Sequence, residues 1–387
     1  MSFDGFSNVF LADVLDLKNG KSRPKNIGQY PVYGGNGILG YADDFNVDGE
    51  TVIIGRVGAY CGATYYENRP CWISDNALYA KAIGENSNKF FYYLLKSKNL
   101  NQFAGGSSHP LLTQGGLNEM ELIIPDFSSQ KRIAEILTSI DDKIENNLAT
   151  NQTLEEIART LFKEWFINFN YPNADGNLKQ SEFGEIPESW SINGIGEICY
   201  VQNGYAFKSK DFQEQGVVGI IKIKNINGNV VDIKNTDFVD ASVISSLDKK
   251  FKIESGSLLI AMTGAEVGKI GLVPLTEQNL WLNQRVGMFQ EKTAYGNLFM
   301  YLLLSTDTYQ TAIQNSALGS AQPNISASAI ESIRAIIPPA ELIETFGKTV
   351  KPMFEKILDN LAENETLINT RNSLLPKLMS GEIEING

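Results

Sequence analysis

Residues 130–165 read QKRIAEILTSIDDKIENNLATNQTLEEIARTLFKEW and carry a helical seam. Its members follow alternating steps of four and three, the spacing at which side chains share the face of a helix that packs on another helix. They are Ile133, Leu137, Ile140, Ile144, Asn147, Asn151, Leu154, Ala158, Leu161 and Trp165. Asp126 or Ser128 is suited to cap this helix, and Pro172 to end it. The stretch predicts a long helix that needs a helical partner.

The same seam returns 213 residues later with both asparagines in place. Its members are Phe346, Val350, Met353, Ile357, Asn360, Asn364, Leu367, Arg371, Leu374 and Leu378. We expect the two helices to pack antiparallel about a pseudo-twofold axis, where the four amides would meet and fix the register at a cost in stability. In the alternative, these amides face solvent. Pro339 precedes the second helix and Gly381 follows it, while Pro352 predicts a kink or a later start.

The segments before the two helices also repeat. VGAYCG (57–62) returns as TGAEVG (263–268), FYYLLKS (91–97) as FMYLLLS (299–305), GSSHPLLT (106–113) as GSAQPNIS (319–326) and LIIP (122–125) as AIIP (335–338). Two copies of this size are domains and not the units of a solenoid. The sequence therefore predicts two globular domains at residues 1–125 and 171–338, a central helix at 126–170 and a C-terminal helix at 339–387.

Both globular segments read as α/β. The runs ETVIIG, MELIIP, SLLIAM and GIIKIKN are typical of strands, whereas NKFFYYLLKSKNL and GNLFMYLLLSTDTYQTAI are typical of helices. In the GIIKIKN strand, Lys222 and Lys224 would share one face. The fold expected is a pair of α/β domains spaced by two long antiparallel coiled-coil helices.

Composition narrows the class of protein. The chain has 387 residues, 43% of them hydrophobic and 20% charged, as in a globular protein. It shows neither an apolar run of roughly 18 residues nor a signal-peptide pattern, so we expect a cytoplasmic protein with no membrane partner. Cys61, Cys71 and Cys199 form no CxxC pair, which is typical of reduced structural thiols.

The net charge of −12 is unusual for a protein that binds DNA. Residues 1–125 hold ten basic and twelve acidic groups, whereas the two helical segments together hold ten basic and sixteen acidic ones. Much of the excess acid thus lies outside the first globular segment. Local basic patches, or a partner that supplies positive potential, remain compatible with DNA binding.

Motifs for catalysis are missing from the sequence. Residues 35–40, GNGILG, satisfy GxGxxG, but no helix is predicted after them, which argues against a dinucleotide site. The single histidine, His109, stands in a Gly/Ser/Pro loop without a triad or an HExxH arrangement. A Walker A loop and the amino-methyltransferase box are also missing. These absences favour a binding protein without catalytic, cofactor or metal residues.

Polar residues on glycine-rich turns are the candidates for DNA contacts, because base edges are read by Arg, Asn and Gln, and phosphates by Lys and Arg. In the first copy they are Lys21, Arg23 and Lys25, which form a basic cluster with Lys18, together with Tyr33, Asn36, Arg56, Tyr60, Ser107, His109 and Thr113. In the second copy they are Tyr205, Phe207, Lys208, Lys222, Lys224, Gln284, Arg285, Ser320, Gln322 and Asn324. A structural role for each of them stays open.

Gln284 and Arg285 stand where the first copy has Asp75 and Asn76, and His109, Leu111 and Thr113 become Gln322, Asn324 and Ser326. Matching loops with different side chains predict two domains that recognise different sequences.

The chain resembles the specificity subunit of type I restriction-modification enzymes. The resemblance rests on YPVYGGNGILGY (30–41), QKRIAEILTSIDDKIENN (130–147), LFKEWFINFNYP (161–172), IPESWSINGIGEI (186–198) and LLPKLMSGEI (374–383). It implies that each domain reads one half of a split, asymmetric DNA target. It also implies that the helices hold two methyltransferase subunits, and that separate restriction subunits cleave and translocate DNA.

In such an assembly S-adenosylmethionine, ATP and Mg would reside on the partners, and this chain would hold no cofactor. Two other classes stay open at this point. One is a twin-domain scaffold that bridges proteins without binding DNA, and the other is an enzyme whose catalytic motif is unfamiliar.

Overall fold

A computed structural model describes residues 6–105, 110–226, 228–317 and 323–383. The chain divides into two compact units. Unit 1 comprises Met1–Ile144 and Thr366–Gly387, and unit 2 comprises Glu145–Glu365. Both boundaries fall inside a long helix, so the units cut across the four consecutive segments expected from the sequence.

Within the described residues, unit 1 is built on nine strands, with short helices near the beginning and the end of the strand series. The strands are β1 (Phe6–Phe10), β2 (Leu15–Asn19), β3 (Tyr30–Gly34), β4 (Gly37–Ala42), β5 (Thr51–Gly55), β6 (Thr64–Glu67), β7 (Trp72–Ile73), β8 (Ala77–Ala82) and β9 (Glu121–Pro125). The short helices are α1 (Leu11–Val14), α2 (Asn88–Ser97) and α3 (Gln114–Asn118), and the long helix α4 spans Phe127–Phe162.

The strands of unit 1 form two main sheets. An antiparallel sheet has the order β2-β8-β5-β6, and a smaller one, β4-β3-β7, combines an antiparallel with a parallel pairing. β5 (TVIIG) is buried along its whole length, since apolar side chains leave it on both faces. The GxGxxG segment forms the β3–β4 hairpin and runs into a strand instead of a helix, which removes the basis of a dinucleotide site.

Unit 2 repeats this plan with additional elements. Its strands are β10 (Leu178–Ser181), β11 (Gly184–Pro187), β12 (Ser191–Gly194), β13 (Cys199–Asn203), β14 (Phe212–Gln213), β15 (Val218–Ile221), β16 (Asp237–Val239), β17 (Lys252–Ile253), β18 (Leu258–Ala261), β19 (Ile270–Leu272), β20 (Asn279–Leu282), β21 (Val286–Glu291) and β22 (Arg334–Ile337). Its helices are α5 (Ala241–Ile244), α6 (Gly296–Leu304), α7 (Asp307–Ser316), α8 (Ala327–Glu331) and the long α9 (Ala340–Ser380).

The sheets of unit 2 match those of unit 1. The order β13-β21-β18-β19 has the same antiparallel pattern as β2-β8-β5-β6, and β15 pairs in parallel with β20 as β3 does with β7. β16 pairs with β15 as β4 pairs with β3, and the additional strands β14 and β17 extend the smaller sheet of unit 2 to five strands. The helix expected over residues 296–313 is two helices, because the chain breaks at Ser305 and Thr306.

The two long helices begin at Phe127 and at Ala340. Asp126 caps α4, since its Oδ1 accepts the backbone N–H of Ser129 at 3.0 Å. After Phe162 the helix widens into a π-helical turn, Lys163–Ile167, and stops before Pro172. α9 begins at Ala340 and continues through Pro352, so the later start considered for it is wrong. Pro352 removes one backbone hydrogen bond from this helix, while the side chains of Phe346 and Phe354 near it are buried.

Each unit completes its core with the C-terminal end of a long helix. In unit 1, Leu378 and Met379 of α9 pack with the side chains of β2, β5 and α2. In unit 2, Phe162 of α4 and Phe166 of the following π turn pack against Phe299 of α6, with ring centroids 5.3 and 4.9 Å apart. The aromatic and leucine-rich helix ends are therefore core elements and not linkers. No helix within the described residues is long and apolar enough to cross a membrane.

Candidate nucleic-acid interface

Backbone hydrogen bonds join the turns at one end of the unit 1 sheets. We name these turns loop cluster 1: residues 19–21, 34–37, 55–60, 74–76 and 110–113. The Arg56 N–H donates to the carbonyl of Asn76 at 3.1 Å, and the Leu112 N–H donates to the carbonyl of Arg56 at 2.9 Å. A Cβ on Gly55 would lie 2.6 Å from the Gly35 carbonyl oxygen, so only glycine lets these turns approach.

The corresponding turns of unit 2 meet in the same way. Loop cluster 2 consists of residues 203–205, 222–224, 262–266, 283–285 and 323–326. The Met262 N–H donates to the carbonyl of Arg285 at 3.0 Å, and the Ile325 N–H donates to the carbonyl of Met262 at 3.0 Å. Gly264 has a φ of +78°, as Gly58 has +71° in loop cluster 1. The backbone of the two clusters is thus equivalent.

The side chains on this shared backbone differ. The bond that joins Arg56 to Asn76 in loop cluster 1 joins Met262 to Arg285 in loop cluster 2. Each cluster has one arginine at this bond. In loop cluster 1 the arginine is the donor, Arg56, and in loop cluster 2 it is the acceptor, Arg285. Asn76 and Arg285 are exposed, whereas Met262 belongs to the core. Equivalent turns with different polar groups are what two sites of different sequence preference require.

The backbone of Arg56 bonds two other turns of loop cluster 1, those of Asn76 and Leu112. Its side chain is half-buried, and one terminal nitrogen donates to Oδ1 of Asn19 at 3.2 Å. Its Nε is buried and has no hydrogen-bond partner within the described structure. Asn36, Tyr60 and Asn76 around it are exposed. The buried Nε cannot reach a ligand, so contact with the edges of bases would use the terminal nitrogens of this half-buried guanidinium together with the exposed amides of Asn36 and Asn76.

Tyr33 is not a surface residue, contrary to the sequence-based expectation. It is 6% exposed, and its hydroxyl donates to Oε2 of Glu67 at 3.1 Å. Burial, together with the negative Glu67, raises the pKa of Tyr33. Burial disfavours ionisation of Glu67 as well, but hydrogen bonds from Arg69 and Tyr33 outweigh it and hold the pKa of this carboxyl below its ordinary value. Tyr33 therefore stabilises unit 1 and leaves the list of candidate DNA contacts.

Three candidates in unit 2 also have structural partners. Phe207 is 8% exposed and packs edge-on against Tyr205, with ring centroids 5.0 Å apart. Lys222 and Lys224 do not share a strand face, because β15 ends at Ile221 and a 3₁₀ turn follows. Both ammonium groups bind Asp237, at 2.6 and 2.8 Å. Their charge is thereby neutralised in part.

Among the remaining candidates, some side chains already make hydrogen bonds within the chain and others are exposed. Arg23 donates to the carbonyl of Leu39 at 3.2 Å, and the Thr113 hydroxyl caps α3 by accepting the Gly116 N–H at 3.2 Å. The candidates that are exposed and whose side chains have no such partner among the described residues are Lys21, Lys25, Lys208, Gln284, Arg285 and Asn324. Ser107, His109, Ser320 and Gln322 lie outside the described residues.

The seam asparagines are packed in unit 2. The Nδ2 of Asn147 donates to Oδ1 of Asn364 at 2.8 Å, and the Nδ2 of Asn360 donates to Oδ1 of Asn151 at 2.7 Å. Asn147, Asn360 and Asn364 are at most 5% exposed. The residue numbers rise on one helix as they fall on the other, so these helix segments run antiparallel. Asn147 is equivalent to Asn360 in the repeat, and Asn151 to Asn364. Each amide pair therefore joins the first asparagine of one helix to the second of the other, as a pseudo-twofold axis requires.

Sequence reasoning missed the contacts that fix each globular part on its helices. In unit 1 the Tyr93 hydroxyl donates to Asp141 at 2.8 Å, and Arg371 binds the same carboxylate at 2.6 Å. In unit 2 the Tyr301 hydroxyl donates to Glu155 at 2.8 Å. The two tyrosines are the repeated Tyr of FYYLLKS and FMYLLLS, but their carboxylates are not at repeated positions. The repeat identifies the two tyrosine donors, but it does not identify the carboxylates that accept from them.

All three cysteines are buried and free of disulfides. Burial raises the pKa of Cys71 and of Cys199 to about 12. These thiols stay protonated near neutral pH, where a protonated thiol is a poor nucleophile.

Two equivalent α/β units with matched loop clusters and a repeated long helix define a class of duplicated binding proteins. The model of the type I restriction modification DNA specificity domain matches residues 4–156 and 187–374. That match covers most of the chain, once for each copy. The chain belongs to the family of type I restriction-modification DNA specificity proteins.

Individual relatives agree with this membership. The type I restriction enzyme MjaIX specificity subunit of Methanocaldococcus jannaschii is 30% identical over 307 residues, which are 77% of this chain and 69% of the relative. The HindI specificity subunit of Haemophilus influenzae is 26% identical over 365 residues, 79% of this chain and 77% of the relative. The family assigns the chain to DNA target recognition, as a specificity subunit that is itself non-catalytic.

A solved structure shows the same fold. The S subunit of a type I restriction-modification system from M. genitalium superposes with a TM-score of 0.70 at 19% identity, over 98% of this chain and 97% of that one. The expected α/β class with two specificity domains is thereby confirmed.

Proposed function

We propose that this chain recognises a split, asymmetric DNA target, with one half-site bound by loop cluster 1 and the other by loop cluster 2. The observation that carries the proposal is the shared backbone bond that presents Arg56 and Asn76 in one cluster, and Met262 and Arg285 in the other. Identical backbone geometry supports the same mode of docking on DNA. The different side chains on this backbone support the recognition of different DNA sequences by the two clusters.

The chemistry of the exposed groups fits base recognition. In the major groove an arginine binds the O6 and N7 of guanine, and an asparagine or glutamine binds the N6 and N7 of adenine. Loop cluster 1 offers Arg56 with Asn36 and Asn76, and loop cluster 2 offers Arg285 with Gln284. Both clusters therefore hold donors for guanine and amides for adenine, in different positions.

We further propose that the two long helices set the spacing between the half-sites and hold two methyltransferase subunits, with restriction subunits joining the same assembly. Two facts support this role. Both α4 and α9 contribute to unit 1 and to unit 2, and the buried amide pairs can fix the register between them. S-adenosylmethionine, ATP and Mg would reside on those partners.

The test is a map of methylated adenines in the genome of the source cell, with and without the gene for this chain. The expected result is a motif of two short defined sequences separated by a constant unread gap, present only when the gene is intact. A continuous motif would contradict the split target. Purified chain that binds no duplex DNA, even with the methyltransferase subunits added, would favour a protein-bridging scaffold instead.

A further inference from the structure

A run of lysines in unit 2 occupies the position of two aspartates in unit 1. Ile253 pairs with Leu280 of β20, as Val47 pairs with Cys71 next to β7. Counting back from these pairs, Asp43, Asp44 and Asn46 correspond to Lys249, Lys250 and Lys252. An aromatic ring is kept in both copies, as Phe45 and Phe251. The local charge is thus reversed on an otherwise equivalent backbone.

The three lysines, which we name the lysine patch, line a cavity of about 300 Å³ together with Tyr200, Gln202 and Asn297. Lys249 and Lys252 are exposed, and neither ammonium group is in an ion pair with any residue that the structure describes. Lys250 lies 3.7 Å from Asp248 and 5.2 Å from the centre of the Phe251 ring. Glu254 also lines the cavity, so three positive groups stand against one carboxylate there. The cavity is suited to an anion that brings several oxygen acceptors.

The patch adjoins loop cluster 2. The Phe251 ring lies 5.8 Å from the ring of Tyr205, and the Tyr205 N–H donates to the carbonyl of Leu282 at 2.8 Å. Tyr200 and Gln202 belong to β13, the strand that leads into the 203–205 turn. A ligand seated on the lysines would therefore continue toward the groups proposed to read bases.

Unit 1 offers the opposite charge at this place. Asp43 accepts a hydrogen bond from the amide of Asn26 at 2.9 Å, and Asp44 accepts the N–H of Phe45 at 2.8 Å. These carboxylates are held in position and would repel a phosphate. The two units therefore differ in charge at this place, although their backbone pairing is the same.

We propose that the lysine patch binds phosphates of the DNA backbone beside the half-site of unit 2, and that unit 1 has no such contact at the equivalent position. The proposal rests on the proposed function, and it adds the location of contacts that bind DNA independently of its sequence. Phosphate contacts position a protein on DNA and make its affinity depend on salt, while base contacts select the sequence.

The experiment measures binding of the full-length chain, with methyltransferase subunits present, to a fluorescent duplex of random sequence over a range of salt concentrations. Each phosphate contact adds about 0.9 to the slope of log K against log salt. The double variant Lys249→Gln/Lys252→Gln should therefore lower that slope by about 1.8. Lys179→Gln/Lys292→Gln, which removes the same charge from exposed positions of unit 2 outside loop cluster 2 and the long helices, is the matched control and should leave the slope unchanged.

The outcomes separate the two proposals. A wild-type slope in Lys249→Gln/Lys252→Gln, with binding otherwise intact, would overturn the lysine patch and leave target recognition standing. An equal fall in the control would assign the effect to net charge and would also overturn it. Wild-type protein that binds no duplex under any of these conditions would contradict the proposed function itself. Melting curves of both variants verify that each is folded.

Discussion

At the scale of single residues, the two loop clusters distinguish side chains that hold the fold from side chains free to bind a ligand. Tyr33 and Phe207 are packed, and Lys222 and Lys224 share one aspartate, although residue type alone made them candidates. Arg285 is exposed, and Arg56 is half-buried with one terminal nitrogen bonded to Asn19. Sequence supplies the type of a side chain, but whether its polar atoms are already bonded depends on neighbours that are distant in the chain.

Arg56→Ala tests base recognition by loop cluster 1. If Arg56 binds a base, the variant should lose about 1–3 kcal/mol of discrimination at one base pair of one half-site, and the other half-site should be unaffected. Competition binding with duplexes altered in one half-site at a time measures this. Arg132→Ala, which removes an exposed arginine from α4, is the control. Equal weakening on every duplex would show instead that Arg56 contacts a phosphate.

Glu67 makes the stability of unit 1 depend on pH. Its pKa in the folded chain lies below the ordinary 4.5, because hydrogen bonds from Arg69 and Tyr33 favour the ionised form. The stabilisation is therefore complete above that ordinary value and disappears as the pH falls through the lower folded pKa. Glu67→Gln should reduce the loss of melting temperature on acidification below about pH 4.5. The exposed Glu85→Gln is the control, and a dependence that Glu67→Gln leaves unchanged would refute this role.

At the scale of elements, the seam was the most predictable part of the molecule. The alternation of four and three is a local property of the sequence, so both long helices could be predicted from it, and the cap at Asp126 could be predicted from residue type. The antiparallel amide pairs required one further step, the repeat offset. The strand expected through Lys224 ends early, because the Asn225 side chain accepts the Lys222 N–H at 2.9 Å and closes a turn. Such side-chain competition with a strand is not visible in hydrophobic periodicity.

The Asn151–Asn360 pair should behave as a coupled unit. Asn151→Leu leaves the buried amide of Asn360 without this partner and should cost about 1–3 kcal/mol of unfolding free energy. Asn151→Leu/Asn360→Leu replaces both partners and should recover that loss or exceed it. Denaturant titration of the four members of the cycle measures the coupling. Asn146→Leu, which changes an exposed neighbour on α4, controls for the added apolar surface. Additive single and double changes would show that the pair is not coupled.

The proposed spacing role of the helices has its own test. One heptad inserted at matched seam positions into both α4 and α9 adds about 10 Å of helix and keeps the seam in phase. The gap between half-sites should then lengthen by about three base pairs, since bases stack about 3.4 Å apart.

The motif read from methylated DNA gives the new gap. Seven residues inserted instead into the exposed turn of the β10–β11 hairpin serve as the control of equal length. A gap that stays constant in the heptad variant would refute the spacing role.

At the scale of the whole molecule, the duplication could be predicted from the sequence. Which segments of the chain form each unit could not. Repeat offsets show that two copies exist. They cannot show that Leu378 and Met379, near the end of the chain, belong to a core with Leu15 and Phe91 near its beginning. The order of segments along a chain says little about which helix end fills which core, because that depends on tertiary packing.

Two equivalent truncations test this composition. Met379→Ala should destabilise unit 1 by about 2–5 kcal/mol and Phe166→Ala should destabilise unit 2 by about 3–5 kcal/mol, since each removes a buried side chain. Hydrogen exchange should show faster exchange in β2, β5 and α2 for the first variant, and in β13, β18 and α6 for the second. The two variants serve as controls for each other. Faster exchange in the opposite unit would contradict the assignment of the helix ends.

The bond between Arg56 and Asn76, and its counterpart between Met262 and Arg285, uses only main-chain atoms. Any residue other than proline can donate there, and any residue can accept. A mutation at these tips therefore changes what is offered to a ligand while the scaffold stays intact, and it does so in one unit without altering the other. Under the proposed split target, the preference for each half-site would then change by substitutions within one unit, and the two preferences would evolve independently.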